Sequence, residues 1–456
     1  MLGRARPLPR RLECLSLSYF LYSLMLAVGM LLSLPYWLYK MIRHGKYRAG
    51  LPARLGRVPS HLIHAGDSRP VIWVHAVSVG EVLAVSGLVE EMRRSFPRHR
   101  VLVSTTTFTG QELARKRFGE ANVFYFPLDF AFAIRPYLQA LKPKLVVLAE
   151  TEFWPNFLHL SHESGARIAV VNARISDRSW PSYGRFRWAL RRMLAHVELF
   201  LAQTPEDAAR LKSLGADTQR VQVTGNLKFD VNQPAAPPIV EALRRALAAD
   251  GAGPVLVCGS TVEGEEPLLL NAFESIRGVH PRAVMMLAPR HPERFDEVAI
   301  LLQQSGVRFS RRSGWAGEPL AGGVLLVDSI GELAAVYALS DVAFVGGSLV
   351  PRGGHNIIEP AQHGVAIVTG NHTENFRDIV ALFQSRDAVR IVTAAELTST
   401  LMKLLADDGE RKELGRLAQE TMRSQAGATA RTIAALKTLL ADGNALPLSV
   451  QAAHTH

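Results

Sequence analysis

The sequence predicts two doubly wound α/β domains behind an N-terminal apolar helix. Three observations carry this: two series of short apolar runs alternating with amphipathic stretches, a proline-rich seam between the series, and one long uncharged segment ahead of both. Short apolar runs alternating with helical patterns argue for parallel sheets buried between helices.

The first series is Val71–His75, Val101–Ser104, Val123–Phe126, Leu145–Ala149, Ile168–Asn172, Leu199–Ala202 and Val221–Thr224. Amphipathic stretches such as Glu81–Phe96 and Gly110–Phe118 separate them. The second series is Val255–Cys258, Val284–Leu287, Val324–Val327, Val342–Val345, Ala366–Val368 and Val389–Val392. The seam, Val231-Asn-Gln-Pro-Ala-Ala-Pro-Pro238, cannot continue a helix or a central strand, because proline lacks an N–H and fixes φ. The expected division is residues 1–49 as anchor, 50–235 as first domain, 236–442 as second domain and 443–456 as tail. Ligands of such sheets sit outside the carboxyl ends of the strands, so the active site is expected in a cleft between the domains.

Leu15–Tyr39 carries no charge and is long enough to cross a bilayer core. Arg4, Arg6, Arg10 and Arg11 precede it; Lys40, Arg43, Lys46 and Arg48 follow. Tyr36, Trp37 and Tyr39 gather at one end, as interfacial aromatics do. The long apolar core and basic following flank favour a retained anchor over a cleaved signal peptide. Basic residues load both flanks. The larger load, extended by Arg54 and Arg57, follows the segment and favours a cytoplasmic globular part. The chain of 456 residues carries a net charge of +11, which suits acidic partners. Its two cysteines, Cys14 and Cys258, exclude a disulfide framework and a cysteine zinc site.

Val345–Pro360 reads VGGSLVPRGGHNIIEP. A strand, a glycine-rich turn and a helix start at Asn356 make an anion-binding geometry, with Glu359 placed to accept from a ribose diol. It is neither a Walker loop nor a G-x-G-x-x-G fingerprint. The plainer alternative is a tight turn with a capped helix. His75-Ala-Val-Ser-Val-Gly-Glu81 ends a strand and opens a helix. Glu81 is either a stabilising first-turn acid or a general base kept ionised by the helix dipole. Glu150 and Glu152 end another strand, beside a platform of Trp154 and Pro155, and two close carboxylates raise one another's pKa. The Ser104–Gly110 hydroxyls are expected mainly to cap the next helix. Arg174, Arg178, Arg185 and Arg187 form a basic patch suited to phosphate, or simple surface charge. Ser260, Thr261, Arg290, His291 and Lys228 supply a polar, mostly cationic rim at strand ends.

In order along the chain, HAVSVGE, TTTFTG, ETEFWPN, NARISDRS, TGNLKFD, PRHPERF and GGSLVPRGGHNIIEP together resemble the Kdo (3-deoxy-D-manno-octulosonic acid) transferases, membrane-anchored glycosyltransferases of the GT-B fold that build the lipopolysaccharide inner core. The resemblance covers nearly the whole chain. It implies CMP-Kdo as donor, a phosphorylated lipid A precursor as acceptor, an inverting single displacement, and an inner-membrane location with the domains on the cytoplasmic face. It also implies Glu81 as catalytic base and Glu150 as its assistant in catalysis or acceptor binding. Gly353, Gly354, Asn356 and Glu359 would hold the CMP; Ser260, Arg290 and Lys228 would face its phosphate or the Kdo carboxylate. No metal, no cofactor and no nucleic acid are implied; there is no D-x-D motif. Two departures are Val262, where many relatives have histidine, and Ile357-Ile358 in place of Pro-Leu. The competing expectations are another GT-B enzyme using a nucleoside-diphosphate sugar, and a tethered binding protein that would need the basic patch but not Glu81.

Overall fold

The computed structural model describes residues 10–44, 50–63, 67–175, 180, 183, 187–230 and 237–442. It divides into two compact units. The first contains a sheet of β1 (Val71–His75), β2 (Arg100–Thr105), β3 (Val123–Tyr125), β4 (Pro143–Ala149), β5 (Arg167–Ala173), β6 (Leu199–Ala202) and β7 (Val221–Val223). The second contains β8 (Val255–Thr261), β9 (Val284–Pro289), β10 (Phe309–Arg311), β11 (Val324–Leu326), β12 (Val342–Val345), β13 (Ala366–Gly370) and β14 (Arg390–Val392).

Spatial orders are β3-β2-β1-β4-β5-β6-β7 and β10-β11-β9-β8-β12-β13-β14, and every strand pair is parallel. The order reverses between β1 and β4 in the first sheet and between β8 and β12 in the second. Crevices for ligands open at such reversals. Both faces of each sheet are buried, which is why the strands read as near-continuous apolar runs. Edge strand β10 escaped the sequence reading because Phe-Ser-Arg carries no apolar run and each residue is only half buried.

The second unit ends at Ala426, not at 442. The helix Ala428–Asp442 returns to the first unit, where Ala428, Ile433, Leu436 and Leu439 bury themselves against the β1 face and the helix Val79–Ser95. Asp230 helps hold its start, with Oδ1 accepting from Gly427 N at 2.6 Å and Oδ2 from Thr429 N at 2.5 Å. An amphipathic helix packs wherever its apolar stripe finds a partner, and chain position alone does not name that partner. Most of the seam, 231–236, and the tail, 443–456, lie outside the described residues.

The N-terminal helix Arg10–His44 is continuous. Its stretch Ser18–Tyr36 is long and apolar enough to cross a membrane, and none of it is buried. Tyr19 stacks on His159 with centroids 4.1 Å apart, and its hydroxyl lies 2.9 Å from His196 Nε2. Ser23 Oγ lies 3.0 Å from Asn156 Nδ2. Met25, Leu31 and Leu32 beyond them are 68–77% exposed, more apolar surface than a chain surrounded by water leaves uncovered.

Candidate active site

In the first sheet β1 and β4 are neighbours, with His75 opposite Leu148, so the segments leaving their carboxyl ends lie side by side. Ser78 caps the helix Val79–Ser95, its Oγ accepting from Glu81 N at 3.4 Å. The Glu81 side chain reaches back. Its Oε2 accepts from Val77 N at 2.8 Å and its Oε1 from Ser78 Oγ at 2.9 Å. This reciprocal arrangement is a variant of the capping box, with the N–H one residue before the cap as donor, and Glu81 is a first-turn acid of the helix. The electrostatics add more. Glu81 is only 7% exposed. Burial pushes its pKa up to about 7, helped by the charges of Glu150 and Glu152 and opposed by the bonds from Val77 and Ser78. The expectation that the helix dipole keeps Glu81 at a low pKa is corrected: desolvation outweighs the dipole in so dry a first turn. A carboxylate poised near neutrality suits proton abstraction better than a strongly acidic one.

Glu150 follows β4 with φ of 56°, in the left-handed region. A non-glycine residue keeps that conformation only where its surroundings enforce it, and such residues gather at functional sites. Here its N donates to Val171 O at 2.9 Å. Its Oε1 lies 3.6 Å from Lys228 Nζ. Lys228 sits in the turn Leu227–Phe229, and Asn172, itself at φ of 54°, anchors that turn by accepting from Leu227 N at 2.9 Å. The first unit thus brings Glu81, Glu150, Glu152 and Lys228 to one sheet edge. Burial raises the Glu152 pKa, and Glu150 adds to it. A cavity of about 340 Å³ opens beside them, lined by Glu150, Thr151, Glu152, Phe153, Trp154, Arg174 and Tyr183. Trp154 lines the cavity and packs on Phe126, with ring centroids 5.8 Å apart. Thr107 caps the helix Phe108–Phe118, as expected. Ser104 instead serves the core, accepting from Trp73 Nε1 at 2.7 Å. Arg178 and Arg185 fall outside the described residues.

The second unit gathers a different set at its own reversal. Ser260, at φ of 56°, sits at a register shift of β8, and Arg290 N donates to Thr261 O at 2.9 Å, which sets Arg290 beside it. After β12 the loop folds on itself, with Gly354 N donating to Gly347 O at 2.7 Å. Gly353 has φ of 88°, in the left-handed region that favours glycine, and a Cβ there would meet the Asn375 side chain. The helix after it starts at Ile358, not at Asn356, and is one short turn, Ile358–Gln362, with Glu359 in its first turn. Asn356 accepts from Ile358 N at 3.1 Å and offers Nδ2 to Glu359 Oε1 at 3.4 Å. Burial raises the Glu359 pKa, while Asn356 and Arg290 pull it down.

A family model described as 3-deoxy-D-manno-octulosonic-acid transferase (kdotransferase) matches residues 49–231. The 3-deoxy-D-manno-octulosonic acid transferase of Haemophilus influenzae is 34% identical over 406 residues, covering 88% of this chain and 93% of its own. The chain belongs to the 3-deoxy-D-manno-octulosonic acid (Kdo) transferase family. The relative from Bordetella pertussis is 37% identical over 420 residues, 88% of this chain and 95% of its own. A solved glycosyltransferase from Rickettsia africae, 12% identical, superposes with a TM-score of 0.54 over 82% of this chain and 99% of that one. The fold is GT-B, as a Kdo transferase is expected to have.

Two residues at this site, His355 and Glu265, were not picked out from the sequence. His355 stands between Gly354 and Asn356. Burial, then Arg290 and His291, push its pKa down to about 4, so it is a neutral imidazole at physiological pH. Its buried Nε2 has no hydrogen-bond partner among the described residues. The Gly-Gly-His-Asn run was the available signal. Glu265 lies in the run Glu263-Gly-Glu-Glu266 just before a helix, with nothing in the sequence to set it apart. It is fully buried.

Proposed function

We propose that this chain transfers Kdo from CMP-Kdo to a phosphorylated lipid A precursor (lipid IVA), with inversion at the anomeric carbon. The observation that carries the reading is the buried Glu81 carboxylate, raised to a pKa of about 7 beside Glu150 at the reversal of the first sheet, in a chain of this family. Glu81 takes the proton of an acceptor hydroxyl as that oxygen forms a bond to the anomeric carbon. The bond to CMP breaks, and CMP leaves with its electron pair. Glu150 and Lys228 line the acceptor side as an ion pair. Ser260, Arg290, Gly353, Gly354, Asn356 and Glu359 hold the donor, with Glu359 on the ribose and Arg290 on the phosphate or Kdo carboxylate. Cationic side chains stabilise the leaving phosphate, with no metal or cofactor in the proposed step. NMR of the product tests the mechanism: the new linkage should have the anomeric configuration opposite to the donor's, and retention would refute the single displacement.

The proposed location is the inner membrane, with one pass through Ser18–Tyr36 and both units on the cytoplasmic face. A crossing places residue 19 on the far side, so the helix must give up its contacts with His159, His196 and Asn156 on insertion. A membrane-impermeant thiol reagent applied to the outer face should therefore label Tyr19→Cys in a Cys14→Ser background. Protection there would mean that the helix lies along the first unit.

A further inference from the structure

Glu265 is fully buried and stands directly before the helix Glu266–Val279. Its carboxylate accepts from four backbone N–H groups. Oε2 takes Val262 N at 3.0 Å and Gly347 N at 2.7 Å. Oε1 takes Ser348 N and Leu349 N, both at 2.9 Å. Val262 lies in the loop after β8, and the other three donors are consecutive residues of the loop after β12. These strands flank the reversal of the second sheet. The fit is close: a Cβ on Gly346 would lie 2.8 Å from Oε2.

Successive N–H groups converging on one point form an anion-binding nest. The glycine loop was expected to offer such groups to a phosphate; here an internal carboxylate occupies them. We propose that Glu265 is a positioning residue of the donor site: it fills the nest made by Gly347, Ser348 and Leu349 and thereby fixes the course of the loop that carries Gly354, His355 and Glu359. Gly347 transmits this directly. Its O accepts from Gly354 N, and a Cβ on it would lie 2.7 Å from the His355 ring. The phosphate is then left to groups such as Arg290 and His355, not to the amides of the nest. Adjacent Glu266 is an internal control. It is equally buried, but pairs with Arg294 at 2.5 and 3.2 Å.

The inference rests on the proposed donor site, and the test separates the two. Hydrogen exchange on the full-length wild type without nucleotide should find Gly347, Ser348 and Leu349 amides protected already. Glu265→Gln turns an N–H₂ group toward N–H donors. Losing bonds to a charged group predicts exchange at those amides and a Kd for CMP both raised by at least about tenfold. Glu265→Asp, still a carboxylate, should recover part of the affinity. Glu266→Gln should keep CMP affinity within about twofold even if it melts lower, because it leaves the loop bonds in place. Unprotected amides in the wild type overturn the inference even if Glu265→Gln cannot be folded. CMP affinity that survives Glu265→Gln but is lost on Glu359→Ala overturns this inference alone. A wild type that binds no CMP removes the donor site and the inference together.

Discussion

Glu81→Gln should lower the turnover of Kdo transfer by about 10²–10⁴-fold, the range for losing a positioned general base. CMP affinity should stay unchanged, since the proposed nucleotide residues all lie in the second unit. The wild-type rate should fall as pH drops through about 7, where Glu81 takes up its proton. Stability should run the other way. Burial raises the folded-state pKa above the unfolded value, so the folded chain holds an extra proton between the two. The contribution to stability is complete below the unfolded pKa and is lost as pH rises through about 7. Above that pH the ionised side chain destabilises the fold by at most about 3 kcal/mol. The glutamine variant should therefore melt above wild type at pH 8 and close to it at pH 5. Initial rates and calorimetry check both halves. Turnover within tenfold of wild type, in a folded variant, removes Glu81 as the base.

Glu359→Ala should weaken CMP by about 10–100-fold, the value of one or two hydrogen bonds to a charged acceptor. The Michaelis constant for the donor should rise in proportion, with turnover little changed, because a ribose contact is made equally in ground and transition states. The partner Asn356 would remain to cap Ile358, so the loop should keep its course and the variant should melt close to wild type. Titration calorimetry with CMP measures the affinity. A Kd within about twofold of wild type takes Glu359 out of the nucleotide site.

The two sheets were legible because most strands are buried on both faces and therefore read as apolar runs; all seven strands of the first sheet were found, including edge strand β7, where Gln222 and Val223 are exposed. What failed was what burial does not write into composition. Strand β10 lies at an edge, and Ala428–Asp442 chose its partner by shape across the chain. Glu81, Glu150, Ser260 and Arg290 were visible because they follow strands. Their states were not. A capping acid normally feels the helix dipole, and only the surrounding fold reveals that desolvation wins at Glu81. Lys228 read as a cation near the seam; its pairing with Glu150, set by the turn that Asn172 holds, was not written in the sequence. Glu265 was invisible as an anchor, because its four donors are backbone groups, three of them some eighty residues away. Main-chain partners leave no mark on residue identity.

Kdo transfer can be measured directly. Purified full-length protein would receive CMP-Kdo, generated in place because it is labile, together with tetra-acylated lipid A precursor, and the lipid would be read by mass spectrometry. A mass gain of one or more Kdo units is expected, and it should appear about a hundredfold or more slowly with Glu81→Gln. A folded, CMP-binding wild type that adds no Kdo to this lipid would contradict the proposed transfer.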